Sequence, residues 1–211
     1  MVLELPDSAD RLWQALGSKL RAQVRRPLRE SVTVERGGAE WIGEFYRVFA
    51  RNMRDLGTPV YPERFFREVA ERFAEEATLF VARAGTLPVA ASLVLRDGAT
   101  LEVPWAASRG EWKARGVNML LYWEMLRYAI ECGCGRFDFG RSTRGAGTYR
   151  FKRQWGAQEV PLYWHYWRPD GGEVPNLSPS NRRFSTAVSL WKRLPLPIAN
   201  VLGPAIVRGI P

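Results

Sequence analysis

Gly133-Cys134-Gly135-Arg136-Phe137-Asp138-Phe139-Gly140-Arg141-Ser142, followed by Gly147-Thr148-Tyr149-Arg150-Phe151-Lys152-Arg153-Gln154-Trp155-Gly156, decides how this chain is read. Gly135 to Phe139 places one carboxylate, Asp138, between two phenylalanines, as a short strand would, and Gly140 turns the chain at its end. The segment behind it is basic and aromatic and holds a single lysine, Lys152. Such a layout suits an anionic, phosphate-bearing substrate lying across strand ends.

Outward from that strand, the upstream sequence supplies a helix over Lys113 to Cys132, with Val117, Leu121, Met125, Tyr128 and Cys132 along one face. Before it, three strands with short connections are expected at Thr78 to Ala84, Leu87 to Arg96 and Thr100 to Ala106. The last connection is the hairpin signal Asp97-Gly98. Further upstream the spacing predicts helices over Ser8 to Arg29, Ala39 to Leu56 and Pro62 to Glu76, and a strand at Ser31 to Glu35. Downstream, a helical turn at Tyr149 to Gln154 leads to an aromatic strand, Glu159 to Trp167. A loop then runs from Asp170 to Asn181, and a helix is expected near Arg183 to Lys192.

Hairpins followed by a helical crossover imply an α/β (α+β) chain with a mixed, mainly antiparallel sheet and one parallel step into Gly135 to Phe139. This order resembles the acetyltransferase fold called GNAT. In that fold two central strands splay apart, and here the wedge would fall between Thr100 to Ala106 and Gly135 to Phe139. The expected division is a basic N-terminal helix over 1–30, the GNAT-like domain over 31–168, and a loop and helical tail over 169–211.

Composition bounds the function. With 211 residues and 46% hydrophobic content the chain can bury one sizeable core. A net charge of +9 points to an anionic partner: nucleic acid, a phosphorylated substrate or an anionic membrane. Cys132 and Cys134 are too few and too close for a disulfide framework or a metal site, and reduced cytosolic thiols are expected. The N-terminus lacks the layout of a signal peptide, and no apolar run reaches the roughly 18 residues of a membrane span. A cytoplasmic protein follows, with peripheral contact to the inner face of the membrane open to the tail.

Phe137-Asp138-Phe139-Gly140-Arg141, Phe151-Lys152, Trp155-Gly156, Val117 to Glu124 and Leu20 to Arg26 together resemble the FemAB family of peptidyl and aminoacyl transferases. The nearest resemblance is to its branch associated with exopolysaccharide and exosortase (PEP-CTERM) loci, including Trp191 to Pro197 and Gly203-Pro204. The resemblance implies two GNAT-like domains that join an amino acid from aminoacyl-tRNA to an amine of a peptidoglycan precursor. This chain has length for the second domain only, which leaves a separate first domain or a homodimer as partners.

Within the motif, Lys152 is the leading catalytic candidate, holding a diphosphate or an oxyanion. Arg141 and Arg150 would grip phosphate beside it. Asp138 is either a general base for the attacking amine or a carboxylate that pairs with Arg141 or Arg150 and orders the turn. Tyr149 would donate to a carbonyl or stack on a sugar or base, and Trp105, Asn118 and Trp155 would contact substrate. The lone histidine, His165, reads as structural.

Lys113-Ala114-Arg115-Gly116 can meet a phosphate but lacks the spaced glycines of a coenzyme A loop. No cofactor is therefore required, acyl-CoA is a permitted donor, and aminoacyl-tRNA is the other. The expected activity is transfer of an aminoacyl or acyl group to an amine on a phosphate-bearing cell-envelope or exopolysaccharide precursor. The rivals are an acyl-CoA-dependent N-acyltransferase and a non-catalytic basic module. The second would bind tRNA through Arg11 to Arg29, or anionic lipid through Lys192, Arg193 and Arg208.

Overall fold

The computed structural model describes residues 1–163, 165–167, 169 and 185–209. The loop expected at Asp170 to Asn181 lies outside the described residues. In chain order the elements are β1 (Val2–Glu4), α1 (Ala9–Ala15), α2 (Ser18–Leu28), β2 (Val32–Gly37), α3 (Ile42–Leu56) and α4 (Glu63–Arg72). There follow β3 (Ala77–Ala84), β4 (Leu87–Asp97), β5 (Thr100–Ser108), a short α5 (Gly110–Lys113), α6 (Val117–Glu131) and β6 (Arg136–Asp138). Helices α7 (Gly147–Arg153), α8 (Ser185–Trp191) and α9 (Leu196–Val207) complete the order.

One six-stranded sheet runs β1-β6-β5-β4-β3-β2, antiparallel except where β5 meets β6. The sheet is apolar on both sides because helices cover both. Leu79, Val81, Ala91 and Leu93 face α3 and α4, where Phe45, Phe49 and Phe66 stack on one another. Phe80, Val94 and Leu101 face α6 on the other side. Onto α6 the first two helices dock through Leu12, Leu16, Leu20 and Val24, the every-fourth-residue stripe seen in the sequence.

Three expectations are corrected. The N-terminal helix is split, because Leu16 and Gly17 are extended and end α1 before α2 begins. The chain start is also part of the sheet: Val2 pairs with Asp138 and Glu4 with Arg136. That edge strand takes the place beside β6, and Glu159 to Trp167 does not extend the ladder on its outer side. Its described residues form no strand, and only Gln158 bridges to Val2. The sequence also suggests that Pro195, Pro197 and Pro204 interrupt the apolar tail, but Pro197 and Pro204 sit within α9, which is one continuous helix.

Candidate active site

The sheet forks at β5. Its register with β6 covers Thr100↔Arg136, Leu101↔Phe137 and Glu102↔Asp138 and goes no further. Beyond Glu102 the strand continues to Ser108 with β4 as its sole ladder partner among the described residues. The parting coincides with a bulge. Leu93 pairs with Trp105 and Leu95 with Glu102, so three steps on β5 answer two on β4. The extra residue reverses the alternation: Leu101 and Val103 face the α6 core, whereas Trp105 and Ala107 face α3 and α4.

Because the β5 and β6 side chains alternate in phase, Phe137 is buried with Leu101 and the carboxylates of Glu102 and Asp138 share the opposite face. Partial burial, then the charges of Asp138 and Asp97, push the Glu102 carboxyl above the usual glutamate range. Both acids line a cavity of about 340 Å³ with Gly140, Arg141, Val160 and Leu162. Arg141, Val160 and Leu162 also line a second cavity, of about 550 Å³, with Ser142, Arg144 and Tyr149. The two therefore form one cleft, acidic at the fork and basic along the loop after β6.

Asp138 and Lys152 meet at Gly140. Asp138 Oδ1 accepts from the Gly140 N–H at 2.8 Å, and the Met1 nitrogen lies 3.5 Å from the same oxygen. Lys152 Nζ donates to the carbonyls of Gly140 at 3.0 Å and Arg141 at 2.9 Å. Gly140 has φ +73°, a left-handed conformation that favours glycine. Lys152 is only 7% exposed. Burial lowers its pKa and the Asp138 charge partly offsets that. The structure thus brings the two residues together around a turn, with Asp138 on the cavity wall and the lysine behind it.

The other sequence-derived residues divide. Tyr149 donates to Glu159, which also pairs with Arg144 at 2.7 Å, and Arg153 donates to the Tyr149 hydroxyl at 3.2 Å. These donors hold the Glu159 carboxyl below its usual range. Arg150 donates to the Gly145 carbonyl, closing the loop, rather than pairing with Asp138. Trp155 is buried in the α6 core. Trp105 packs edge-on to Phe65 and Phe66. Asn118 lies in the first turn of α6. None of these three lines the cleft.

Sequence reasoning missed Glu102, Ser142 and Arg109. Glu102 could have been found from the Asp97-Gly98 hairpin, which fixes its distance from the strand start. Its pairing with Asp138 is long-range and leaves no local signal. Among the described residues, Ser142 Oγ is buried at the cleft with no hydrogen-bond partner. At the far tip of the open β5 edge, Ser108 Oγ and Arg109 Nε are likewise buried without a partner among the described residues. Burial, with Arg51 and Arg47 nearby, lowers the Arg109 pKa. Unpaired donors of this kind suit an anion.

The coenzyme A loop expected before α6 fits that group only in part. The N–H groups of Arg115 and Gly116 already serve the carbonyls of Trp112 and Lys113. Gly116 has φ +83° and backs onto α2, where a Cβ would stand 3.0 Å from the Gln23 carbonyl. Pro27 has no N–H to claim that carbonyl, which lets the two helices close together there. Arg115 pairs with Glu30 of the connection after α2.

The acetyltransferase (GNAT) domain family matches residues 18–153. Among solved structures the chain is similar to FemX, at 17% identity and a TM-score of 0.65, over 74% of this chain and 57% of that one. It is also similar to the C-terminal domain (DUF2156) ascribed to a lysylphosphatidylglycerol synthetase of Agrobacterium fabrum: 13% identity, TM-score 0.53, over 67% of this chain and 45% of that one. The aminoglycoside acetyltransferase AAC(6')-Iy, in complex with a CoA bisubstrate analog, matches at 13% identity and a TM-score of 0.52, over 65% and 97% of the two chains. This chain thus spans 57% of the FemX chain and less than half of the synthetase domain. No curated protein sequence matches it.

Proposed function

The chain belongs to the acetyltransferase (GNAT) domain family, and on that premise we propose that it is an acyltransferase that acylates an amine held at the Glu102–Asp138 fork. The observation that carries this reading is the pair of carboxylates placed side by side where β5 and β6 part. An ammonium group enters such a site as a cation and must lose a proton before it can attack. Glu102 takes that proton, and its raised pKa makes it a stronger base than an ordinary glutamate. Asp138 keeps its hydrogen bond to the Gly140 turn and holds the amine by charge.

The amine nitrogen then bonds to the carbonyl carbon of an activated ester. The carbonyl oxygen carries negative charge in the intermediate, and N–H groups on the open β5 edge would neutralise it. The ester C–O bond breaks, the leaving oxygen takes the proton that Glu102 holds, and the freed carboxylate accepts the second proton from the new amide nitrogen and passes it to solvent. Arg141 and Arg144 along one arm of the cleft, and Arg109 at the tip of β5, would hold phosphates of donor and acceptor.

The resemblance to the FemAB family and the likeness to FemX favour an aminoacyl ester as donor. They also favour a phosphate-bearing cell-envelope precursor as acceptor, and the exosortase-associated branch extends this to exopolysaccharide precursors. Full-length activity would then call on a separate first domain or a second copy.

The test uses purified protein with a radiolabelled aminoacyl-tRNA pool and a UDP-linked pentapeptide, and in parallel with acetyl-CoA. Glu102→Gln should lower kcat/KM by about 10²- to 10⁴-fold with an unchanged circular dichroism spectrum. Wild-type turnover in that variant would remove the fork from the reaction. Turnover with acetyl-CoA and none with aminoacyl-tRNA would assign the thioester as donor instead.

A further inference from the structure

Helix α9 is built the wrong way round for an ordinary surface helix. Beyond Leu196, which is half-buried against the α3 and α4 core, the face it turns to the domain is made of small residues: Ala199 and Gly203 are buried, and Gly203 sits so close to Val60 that a Cβ would stand 2.9 Å from its carbonyl. The face turned outward is large and aliphatic. Val201 is 76% exposed, and Ile198, Leu202 and Ile206 each exceed 40%. No charged residue occurs from Leu194 to Val207. A globular helix in water normally shows the reverse arrangement, with its large apolar stripe inward.

Cations flank this helix at both ends. Lys192 and Arg193 precede the helix and Arg208 follows it, all exposed. A groove beside the helix is lined by Pro204, Val207 and Arg208 together with Tyr61, Arg64 and Arg72 of the α4 region. The one acid lining that groove, Glu68, is paired with Arg72 at 3.0 Å. Glu63, at the start of α4, is paired with Arg67. No acidic residue follows Glu173 in the chain. Apolar side chains flanked by uncompensated positive charge complement an anionic bilayer surface, which offers acyl chains beneath phosphate headgroups. With 12 residues the helix is about 18 Å long, against a hydrocarbon core of about 30 Å, so it can lie in the interface but not cross.

We propose that α9 is a membrane-contact helix: Ile198, Val201, Leu202 and Ile206 insert at the headgroup boundary of an anionic bilayer while Lys192, Arg193 and Arg208 contact its phosphates. Ala199 and Gly203 on the inner face let the helix dock closely with Leu196 as its large inward anchor, which leaves Ile198, Val201, Leu202 and Ile206 for the lipid. This holds whatever donor the fork uses.

Flotation of the full chain with phosphatidylcholine vesicles, with and without 30 mol% phosphatidylglycerol as the probe, tests it. Wild type should partition at least about tenfold more strongly onto the anionic vesicles, and added salt should weaken this. Val201→Asp and Ile206→Asp, at exposed positions that leave the fold intact, should each abolish flotation. Joint replacement of Lys192, Arg193 and Arg208 by Gln should reduce it at least about tenfold. Equal recovery with neutral and anionic vesicles, or none with either, overturns the proposal. So does a dimer in solution that Val201→Asp dissolves without any vesicle binding, which would give the face to a second copy. Because the readout is partition and not turnover, inactivity at the fork leaves the result untouched.

Discussion

The β3-β4-β5 meander and the β5-β6 fork belong to one sheet and are built on opposite terms. In the meander the strands run from eight to 11 residues, and apart from Ser92 its fully buried positions are apolar on both faces. Leu79, Val81, Ala91, Leu93 and Val94 are all inaccessible. At the fork β6 is three residues long, and the residues exchanged there include Glu102, Asp138 and Arg136. The meander makes the sheet cohere through area removed from water. The fork keeps polar groups together that would separate if hydration alone decided. Stability and chemistry are thus assigned to different strand pairs, with β5 shared between them.

The sharpest way to break that comparison is in the meander. Leu93→Ala removes a buried side chain beneath α3 and should cost about 2–5 kcal/mol of unfolding free energy, read by urea titration. The fraction that remains folded should keep its turnover. A loss of turnover per folded molecule as large as that of Glu102→Gln would show that the two regions are not separable.

Lys152→Met should give a smaller effect and test the turn between them. The substitution keeps volume but removes the lysine donor from the carbonyls of Arg141 and Gly140, the second of which keeps the Met1 ammonium at 3.1 Å. Against that it removes a buried charge, so the net loss should be about 1–3 kcal/mol, with turnover reduced because Gly140 and Arg141 line the cleft. Unchanged stability with complete loss of turnover would instead place the ammonium in the reaction itself.

Much of the meander was legible in the sequence, because hairpins are local: Asp97-Gly98 and Gly85 set strand lengths within one or two residues. The docking stripe of Leu12, Leu16, Leu20 and Val24 was legible for the same reason. The fork was legible only on one side. Asp138 announces itself by standing alone between phenylalanines, but Glu102 looks like any exposed strand residue until the parallel register sets it beside Asp138. Edge assignment was misread at Glu159 to Trp167. Aromatic richness suggests a strand, yet the place beside β6 is taken by Val2 to Glu4, far away in sequence. Lys152 was found by its motif, but its two carbonyl partners could not be, since they are set by the left-handed turn at Gly140.

The finest probe of the comparison is the pH dependence of stability at the fork. The folded-state pKa of Glu102 lies above its unfolded value. Below the unfolded value the residue is protonated in both states and costs nothing. As pH rises through the window between the two values, the unfolded chain releases the proton first, so wild-type stability falls relative to Glu102→Gln. Above the folded value the deficit is complete and constant. Measured as the difference in unfolding free energy between the two proteins, the curve should step downward from pH 4 to neutrality and then level. The step should be small because the side chain still meets solvent. A step in the opposite direction would mean that Glu102 has gained a cationic partner in the folded state. In that case the fork would be an ion-paired seam like those on the helices, and not a site kept open for an amine.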